Sequence, residues 1–273
     1  MAVDERPDMW WRAALDLAQV GVRAIEETLA GGELVVSDKV THHDLVTEAD
    51  HRSERAVVAA IAERFPDDAV LGEEFGSRPG TSGRRWVIDP VDGTVNFVHG
   101  RADHAVSVGL EYAGEYVAGA ICRPAFGDWV AGQRGTGDAT TAAWPTVVRG
   151  SSRPPALSGA TDLGRSLVSF GFPHEPTARA RVLEVLRDLT PRIRDFRRIG
   201  SAACDLFAVT TGALDATCGF WQHPWDVAGG WAIVRALGGE YRRFETKNGL
   251  QVCTAGNPAV VAQLVAAVGA STR

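Results

Sequence analysis

At 273 residues, with 45% hydrophobic and 23% charged residues, the chain has the make-up of a globular protein large enough for one large or two moderate domains around a substantial core. A net charge of −6, with no Lys/Arg block or basic-aromatic stripe, argues against non-specific nucleic-acid binding. The opening MAVDERPDMWW lacks a signal peptide's apolar region, the apolar tail stretch AVVAQLVAAVGA is too short for a bilayer, and four cysteines without CxxC spacing (Cys122, Cys204, Cys218, Cys253) read as buried thiols, so a cytoplasmic protein without membrane contact is expected.

Trp11, Leu15, Ala18, Val22, Ile25 and Leu29 recur at three and four, which predicts an amphipathic first helix ending at Gly31-Gly32. Thr47 and Asp50 in DLVTEAD have the spacing of a capping box. They predict a second helix from about Glu48 to Phe65, with Val57, Val58 and Ile61 on its apolar face. A short apolar stretch ending at Leu71-Gly72 leads into Glu73-Glu74. Trp86, Val87 and Ile88 read as a buried strand with Asp89 at its end, and Pro90, which has no N–H, is expected to stop the ladder. Gly93 allows a tight turn, and Thr94 is the expected N-cap of a short helix beginning near Val95. AVSVGLEYAGEYVAGAI reads as two antiparallel strands turning near Ala113-Gly114.

Residues 132–160, rich in Gly, Thr, Ser and Pro, hold the expected boundary between an N-terminal α+β domain, 1–146, and a C-terminal α/β domain, 147–273. Beyond them SLVSFGF predicts a strand, ARARVLEVLRDL a helix, and RDFRRIG with SAACDLFAVTTGAL a further strand and helix. A helix from about Trp225 to Leu237 is stopped by Gly238-Gly239. The tail gives a strand at EYRRFE, a Lys247-Asn248-Gly249 turn, a strand through Cys253 and a helix capped by Asn257-Pro258. There is no internal repeat.

Chemistry enters with five acids: Asp50, Glu73, Asp89, Asp92 and Asp226. In WVIDPVDGT a strand end, a tight turn and a helix start bring backbone amides to where an anion can bind. Two carboxylates beside such a cradle would repel that anion unless cations lay between them, which suits Mg²⁺. Taken singly, each acid has an ordinary explanation. DPVDGT can be a surface turn, Asp50 a helix cap, Glu73-Glu74 a solvated loop, and Asp226 an acid favoured in the first turn of a helix.

Their joint order and spacing, DLVTEAD at 44–50, GEE at 72–74, WVIDPVDGTVNFVHG at 86–100, GSAA at 200–203 and WDVAGG at 225–230, resembles the inositol monophosphatase family from about Trp11 to the last helix. The resemblance implies an α/β fold: a layered αβαβα sandwich of the inositol monophosphatase/fructose-1,6-bisphosphatase type, with an α+β N-terminal half, an α/β C-terminal half and the active site between them. It also implies a Mg²⁺-dependent phosphoric monoester hydrolase with two or three ions. By analogy Glu73, Asp89 and the Val91 carbonyl hold one ion, and Asp89, Asp92 and Asp226 hold a second. Thr94 and Asp50 orient and deprotonate the attacking water, with Glu73 among the catalytic groups and Glu74 in a supporting role. Gly93, Thr94, Ser201, Ala202 and Asp226 line the phosphate and substrate site. Lys39, 11 residues before Asp50, matches a lysine of the family's mobile loop. Lithium is expected to inhibit, and a homodimer is the family's usual assembly, for which Trp10, Trp11, Trp129 and Trp144 are candidate contact aromatics, although core burial is the more ordinary fate of such residues.

The implied substrate is a small phosphate ester: inositol monophosphate or a related polyol or sugar phosphate. Inositol-specific relatives carry a glutamate seven residues before the WD aspartate, and here that position is Gly219. Loss of a hydrogen bond to a charged group costs about 1.5–3 kcal/mol, enough to relax selectivity. Gln222 and His223 are near in sequence and could substitute. Fructose 1,6-bisphosphate, histidinol phosphate and 3′-phosphonucleotides are therefore alternative substrates, although the GSAA segment favours the inositol branch over histidinol phosphate. A regulatory, protein-binding role of the kind some bacterial relatives have is the alternative of another class.

Overall fold

The computed structural model describes residues 9–32, 35–38, 45–134, 147–149, 155–220, 222–247 and 249–270. Helices α1 (Met9–Ala30) and α2 (Glu48–Arg64) lie side by side. They approach closely because position 21 is glycine: a Cβ there would stand 2.8 Å from Ser53 Oγ. The predicted capping box opens α2. Thr47 Oγ1 accepts from the amides of Ala49 and Asp50, and the Thr47 amide donates to Asp50 Oδ2 at 2.8 Å. Strands β1 (Val36–Asp38) and β2 (Leu45–Thr47), which the sequence pattern did not predict, pair antiparallel just before it.

Both helices cover one face of a seven-stranded mixed sheet. Its strands are β3 (Ala69–Gly72), β4 (Gly76–Arg78), β5 (Arg84–Asp92), β6 (Ala105–Tyr112), β7 (Glu115–Arg123), β8 (Asp128–Gln133) and β9 (Val147–Arg149), in the order β4-β3-β5-β6-β7-β8-β9. Trp86 of β5 is fully buried against Trp10 and Phe65, and its indole N–H donates to the buried Asp68 at 3.0 Å. The hairpin between β6 and β7 turns at Ala113 and Gly114, with φ of 51° and 80°, the left-handed pair that suits a tight two-residue connection.

The ladder does not stop at Pro90. Asp89 pairs with Ser107 and Asp92 with Ala105, so Pro90 and Val91 together oppose Val106 alone in a β-bulge. Pro90's missing N–H is tolerated at that irregularity, and its carbonyl accepts from Ser53 Oγ at 3.1 Å. The sequence-based strand end is thus replaced by a kink that carries β5 on to Asp92. The helix after it also starts one residue early. The N-cap of α3 (Thr94–Val98) is Gly93, at φ +89°, and Thr94 is the first helical residue. A Cβ on Gly93 would lie 2.9 Å from the Asp103 carbonyl and 3.0 Å from Ser201 Cβ, so both its φ and its surroundings require glycine.

The second sheet has the order β11-β10-β12-β14-β13, formed by β10 (Leu167–Phe170), β11 (Asp195–Arg197), β12 (Ala216–Phe220), β13 (Glu240–Glu245) and β14 (Gln251–Gly256). β10 is parallel to β11 and β12, and the other pairs are antiparallel. Helices α4 (Pro176–Leu189) and α7 (Pro258–Ala270) cover its outer face through Val182, Val185, Val260 and Leu264. Helices α5 (Ala202–Thr210) and α6 (Pro224–Ala236) fill the space between the sheets, where Leu206, Phe207 and Ile233 share a cluster with Ile121 and Val130 of the first sheet and Ala255 of the second. The result is an α/β sandwich of five layers, αβαβα. The first sheet takes its last described strand from residues 147–149, just past position 146. Residues 135–146 and 150–154, Lys39, Trp144 and Asn248 lie outside the described residues. Trp10 and Trp11 are buried in the α1 core, and Trp129 packs against the same core.

One contact between the layers places the C-terminal acid. Gly109 of β6 and Gly119 of β7 are cross-strand partners. A Cβ at Gly109 would lie 2.6 Å from Ala228 Cβ, and one at Gly119 only 2.2 Å from the Gly229 carbonyl. The α6 backbone therefore rests directly on the first sheet. Among the described residues no helix is long and apolar enough to cross a membrane.

Candidate active site

The N-termini of α5 and α6 and the β5 bulge bring Asp89, Asp92 and Asp226 to one cleft of about 1120 Å³, while Asp50, at the N-terminus of α2, is fully buried behind Thr94 and does not line it. Asp50 is the third residue of α2, Asp92 rests on the N-terminus of α5, and Asp226 is the third residue of α6. Positive dipole ends favour carboxylates at each of these places, which is why the same residues read as ordinary caps in the sequence. Asp89, Asp92 and Asp226 each offer one carboxylate oxygen, and the three oxygens lie within 4.8 Å of one another. Glu73 lines the cleft beside them but is not part of that trio. Val91, Gly93, Thr94, Ser201 and Ala202 line it as well.

Local bonding fixes each group. Asp92 Oδ2 accepts from Ser201 Oγ at 2.6 Å and from the Ala203 amide, while Ser201 Oγ accepts from the Cys204 amide as the N-cap of α5. The Ser201 hydroxyl thus holds Asp92 in place, and Ala202 leaves the adjacent wall free of bulk. Asp226 Oδ2 accepts from the His223 amide at 2.7 Å. Thr94 Oγ1 lies 3.0 Å from the Val91 carbonyl and 3.3 Å from Asp50 Oδ1. The other Asp50 oxygen accepts from the Thr47 hydroxyl and amide.

Burial dominates the electrostatics. It raises Asp50 to about 6, against the lowering effect of the Thr47 bonds. Asp92 is raised by burial despite its bonds from Ser201 and Ala203. Asp226 is raised well above the usual carboxylate range, first by burial and then by the charges of Asp92 and Glu73. Negative charge is thus crowded in the cleft, with Arg198 acting on Asp92 and Arg243 on Asp226 in the opposite sense.

Several residues that build the site carried no signal in the sequence. Glu54, buried on α2, accepts from the amides of Glu74 and Phe75 at 2.8 and 3.0 Å and so fixes the loop bearing Glu73. It fits only because residue 72 is glycine, since a Cβ there would sit 1.9 Å from Glu54 Oε1. Glu74 lies 3.9 Å from His51 and is not among the residues lining the cleft. Asn96 Nδ2 donates to the carbonyls of Asp103 and Ile199 at 2.8 and 3.0 Å, tying α3 to the GSAA segment. Asp205, buried on α5, reaches the cleft between Ser169 and Arg198.

Burial pushes Asp205 up to about 8. Its folded-state pKa therefore exceeds its unfolded value, and between about pH 4 and pH 8 the folded chain holds a proton that the unfolded chain has released. Stability from this residue falls as pH rises through that window. Asp205→Asn should flatten the decline and raise Tm at pH 8 by several degrees, at about 2–4 °C per kcal/mol for a chain of this size, with little change at pH 4. Thermal melts of both proteins from pH 4 to 9 check this, and parallel curves would remove the assigned protonation.

Comparison with known proteins bears on this geometry. A profile of the inositol monophosphatase family matches residues 7–271. The chain is 35% identical over 246 residues to an inositol-1-monophosphatase of Mycobacterium bovis, covering 87% of this chain and 82% of that one. It is 33% identical over 218 residues to a fructose-1,6-bisphosphatase/inositol-1-monophosphatase of Aquifex aeolicus, covering 80% and 79%. The crystal structure of the extragenic suppressor protein SuhB from Bartonella henselae superposes with a TM-score of 0.81 at 28% identity, covering 94% of this chain and 97% of that one. The cleft built by β5, α2, α5 and α6 is thus carried on a fold and a sequence shared along nearly the whole chain, and the protein belongs to the inositol monophosphatase family.

Proposed function

We propose that the protein is a Mg²⁺-dependent phosphomonoesterase that hydrolyses inositol monophosphate or a related small polyol or sugar phosphate by attack of an activated water. The observation that carries this reading is the meeting of Asp89, Asp92 and Asp226 oxygens within 4.8 Å, in a cleft also lined by Thr94, whose hydroxyl lies 3.3 Å from the buried Asp50 behind it. An all-oxygen, anionic donor set suits a hard divalent cation, and such a cation would offset the burial and the neighbouring charges that raise Asp226. We assign Glu73, Asp89 and the Val91 carbonyl to one ion and Asp89, Asp92 and Asp226 to another. Bound Mg²⁺ supplies Lewis-acid polarisation of the phosphoryl group and lowers the pKa of water.

The chain's own residues do the rest. A hydroxyl has one proton to donate, so when Thr94 gives its proton to Asp50 it can accept from the attacking water, and the Val91 carbonyl is released from Thr94. Asp50, with one oxygen tied to Thr47 and a proton affinity near 6, is a base matched to neutral pH. The turn at Gly93 presents backbone N–H groups to the phosphate, and Ser201 keeps Asp92 oriented. The open wall at Ala202 receives the alcohol part of the ester.

Phosphate release from a panel of inositol, hexose and histidinol phosphates and 3′-phosphonucleotides tests the reading. Activity should vanish in excess chelator, return with Mg²⁺ and fall with added lithium. Full activity in chelator would reject the metal assignment.

A further inference from the structure

Strands β10 and β12 are parallel and reach the cleft with their carboxyl ends, the place where α/β sheets bind ligands. Both chains are glycine there. Gly171, one residue past β10, donates its amide to the Cys218 carbonyl at 3.1 Å, and Gly219 is the next residue of β12. A Cβ on Gly171 would lie 3.2 Å from the Gly219 Cα. Gln222 fills the room that these glycines leave. A Cβ at Gly219 would stand 2.2 Å from Gln222 Oε1, 2.3 Å from its Cδ and 2.7 Å from Nε2, and one at Gly171 would stand 3.8 Å from Nε2. The carboxamide therefore occupies the volume of a side chain at position 219. Gln222 and Gly171 line the cleft, and the buried Gly219 is not among the lining residues.

The turn that carries Gln222 is held at its backbone and by its neighbour. The Gln222 carbonyl accepts from Arg243 Nη2 at 3.4 Å, and His223 stacks on Trp225 with ring centroids 4.7 Å apart. Among the described residues no hydrogen bond reaches the carboxamide itself. A half-buried amide packed on glycine backbone loses water, and it regains hydrogen bonds best from groups that both donate and accept. Hydroxyls on the alcohol part of an ester do both. A carboxylate in the same slot would only accept, and it would add a further negative charge to a cleft that already holds Glu73, Asp89, Asp92 and Asp226.

We propose that Gln222, lodged on Gly219, is the specificity-determining residue that reads the hydroxyls of the alcohol part of the ester, and that the missing side chain at position 219 is what admits it to this place. This inference rests on the phosphomonoesterase reading for its chemistry and adds the residue that selects the alcohol.

The test compares inositol 1-phosphate with cyclohexyl phosphate, the same ring without hydroxyls, in the presence of Mg²⁺. Gln222→Ala should raise KM for the inositol ester at least about 5-fold more than KM for the cyclohexyl ester, the scale of a neutral hydrogen bond, with kcat for the two esters moving together. Gly219→Ala should give the same discrimination loss, because the nearest atoms to its methyl all belong to the Gln222 carboxamide, the far end of a flexible side chain that it evicts. The double variant should then lose no more than either single one. Equal KM changes for the two esters in Gln222→Ala, a silent Gly219→Ala, or effects that multiply in the double variant each overturn the assignment while leaving phosphatase activity standing. Should Gly219→Ala fail to fold, the two esters with Gln222→Ala decide alone. If neither ester is turned over, the proposed function fails, and calorimetric binding of the same two esters still decides the role of Gln222. Tighter binding of the inositol ester that is lost in Gln222→Ala supports it, and equal affinities reject it.

Discussion

Asp89→Asn and Asp226→Asn are each expected to lower phosphate release by at least about 100-fold, because mutations of even the outer partners of metal ligands cost 10–100-fold in affinity or activity. Both residues belong to the trio of oxygens within 4.8 Å, and an amide presents only a neutral oxygen where a full negative charge stood. Folding should respond in the opposite sense for Asp226. Its carboxylate is pushed well above the usual range by burial and by the charges of Asp92 and Glu73, so in the metal-free chain its ionised form opposes folding at every pH above the unfolded value. The asparagine removes that penalty. Metal-free Asp226→Asn should therefore melt higher than wild type at pH 7, while added Mg²⁺ should raise Tm of the wild type more than that of the variant. Phosphate release and melts with and without Mg²⁺ read both effects. Near-wild-type turnover, or a Mg²⁺ shift undiminished in the variant, would remove Asp226 from the metal site.

Much of this site was legible in the sequence because its acids occupy places with strong local rules. The Thr47–Asp50 box and the helix start at Pro224–Asp226 appear where spacing and capping chemistry predict them, and in DPVDGT the glycine turn before a short helix appears too, although the cap is Gly93 rather than Thr94. The hairpin at Ala113-Gly114 and the C-terminal strand pair followed local turn rules as well. What stayed hidden depends on contacts distant in the chain. Glu54 lies in a run, HRSERAVV, that reads as a polar helix face, and only the arrival of the Gly72–Phe75 loop makes it a buried acceptor. Asp205 looks like an acid placed to suit the first turn of α5, and the second sheet buries it. Strand β12 was missed because ATCGF is short and offers only Ala216, Cys218 and Phe220 to one face, between small residues. The bulge at Pro90-Val91 was misread as a strand end because proline's lack of a donor is the stronger local signal; the partner strand β6 resumes pairing at Ala105 and decides otherwise.

Gly119→Ala tests how the two halves of the site are brought together, at a residue not among those lining the cleft. The added methyl would stand 2.2 Å from the Gly229 carbonyl and 2.7 Å from its Cα, both backbone atoms that cannot swing aside. Gly109→Ala offers the same obstruction, at 2.6 Å from Ala228 Cβ and 2.7 Å from its carbonyl carbon. Overpacking of this kind costs about 1–3 kcal/mol, or more where backbone must move, so Tm should drop by about 2–4 °C per kcal/mol. Relief can come only by lifting α6 off β6 and β7. Asp226 sits two to three residues from the contact on that same helix, while Asp89 and Asp92 stay on β5. A lift of even one ångström separates the oxygens that share cations in the proposed mechanism, so activity should fall by more than the loss of folded protein explains. The deficit should be partly recovered at high Mg²⁺, since the defect lies in assembling the ion site rather than in the Thr94–Asp50 pair, which belongs to α3 and α2. Turnover measured against Mg²⁺ concentration, below the melting range, would show the midpoint moving to higher Mg²⁺. A lower Tm with an unshifted Mg²⁺ midpoint would mean that the glycine contact supports the fold without setting the distance between the acids.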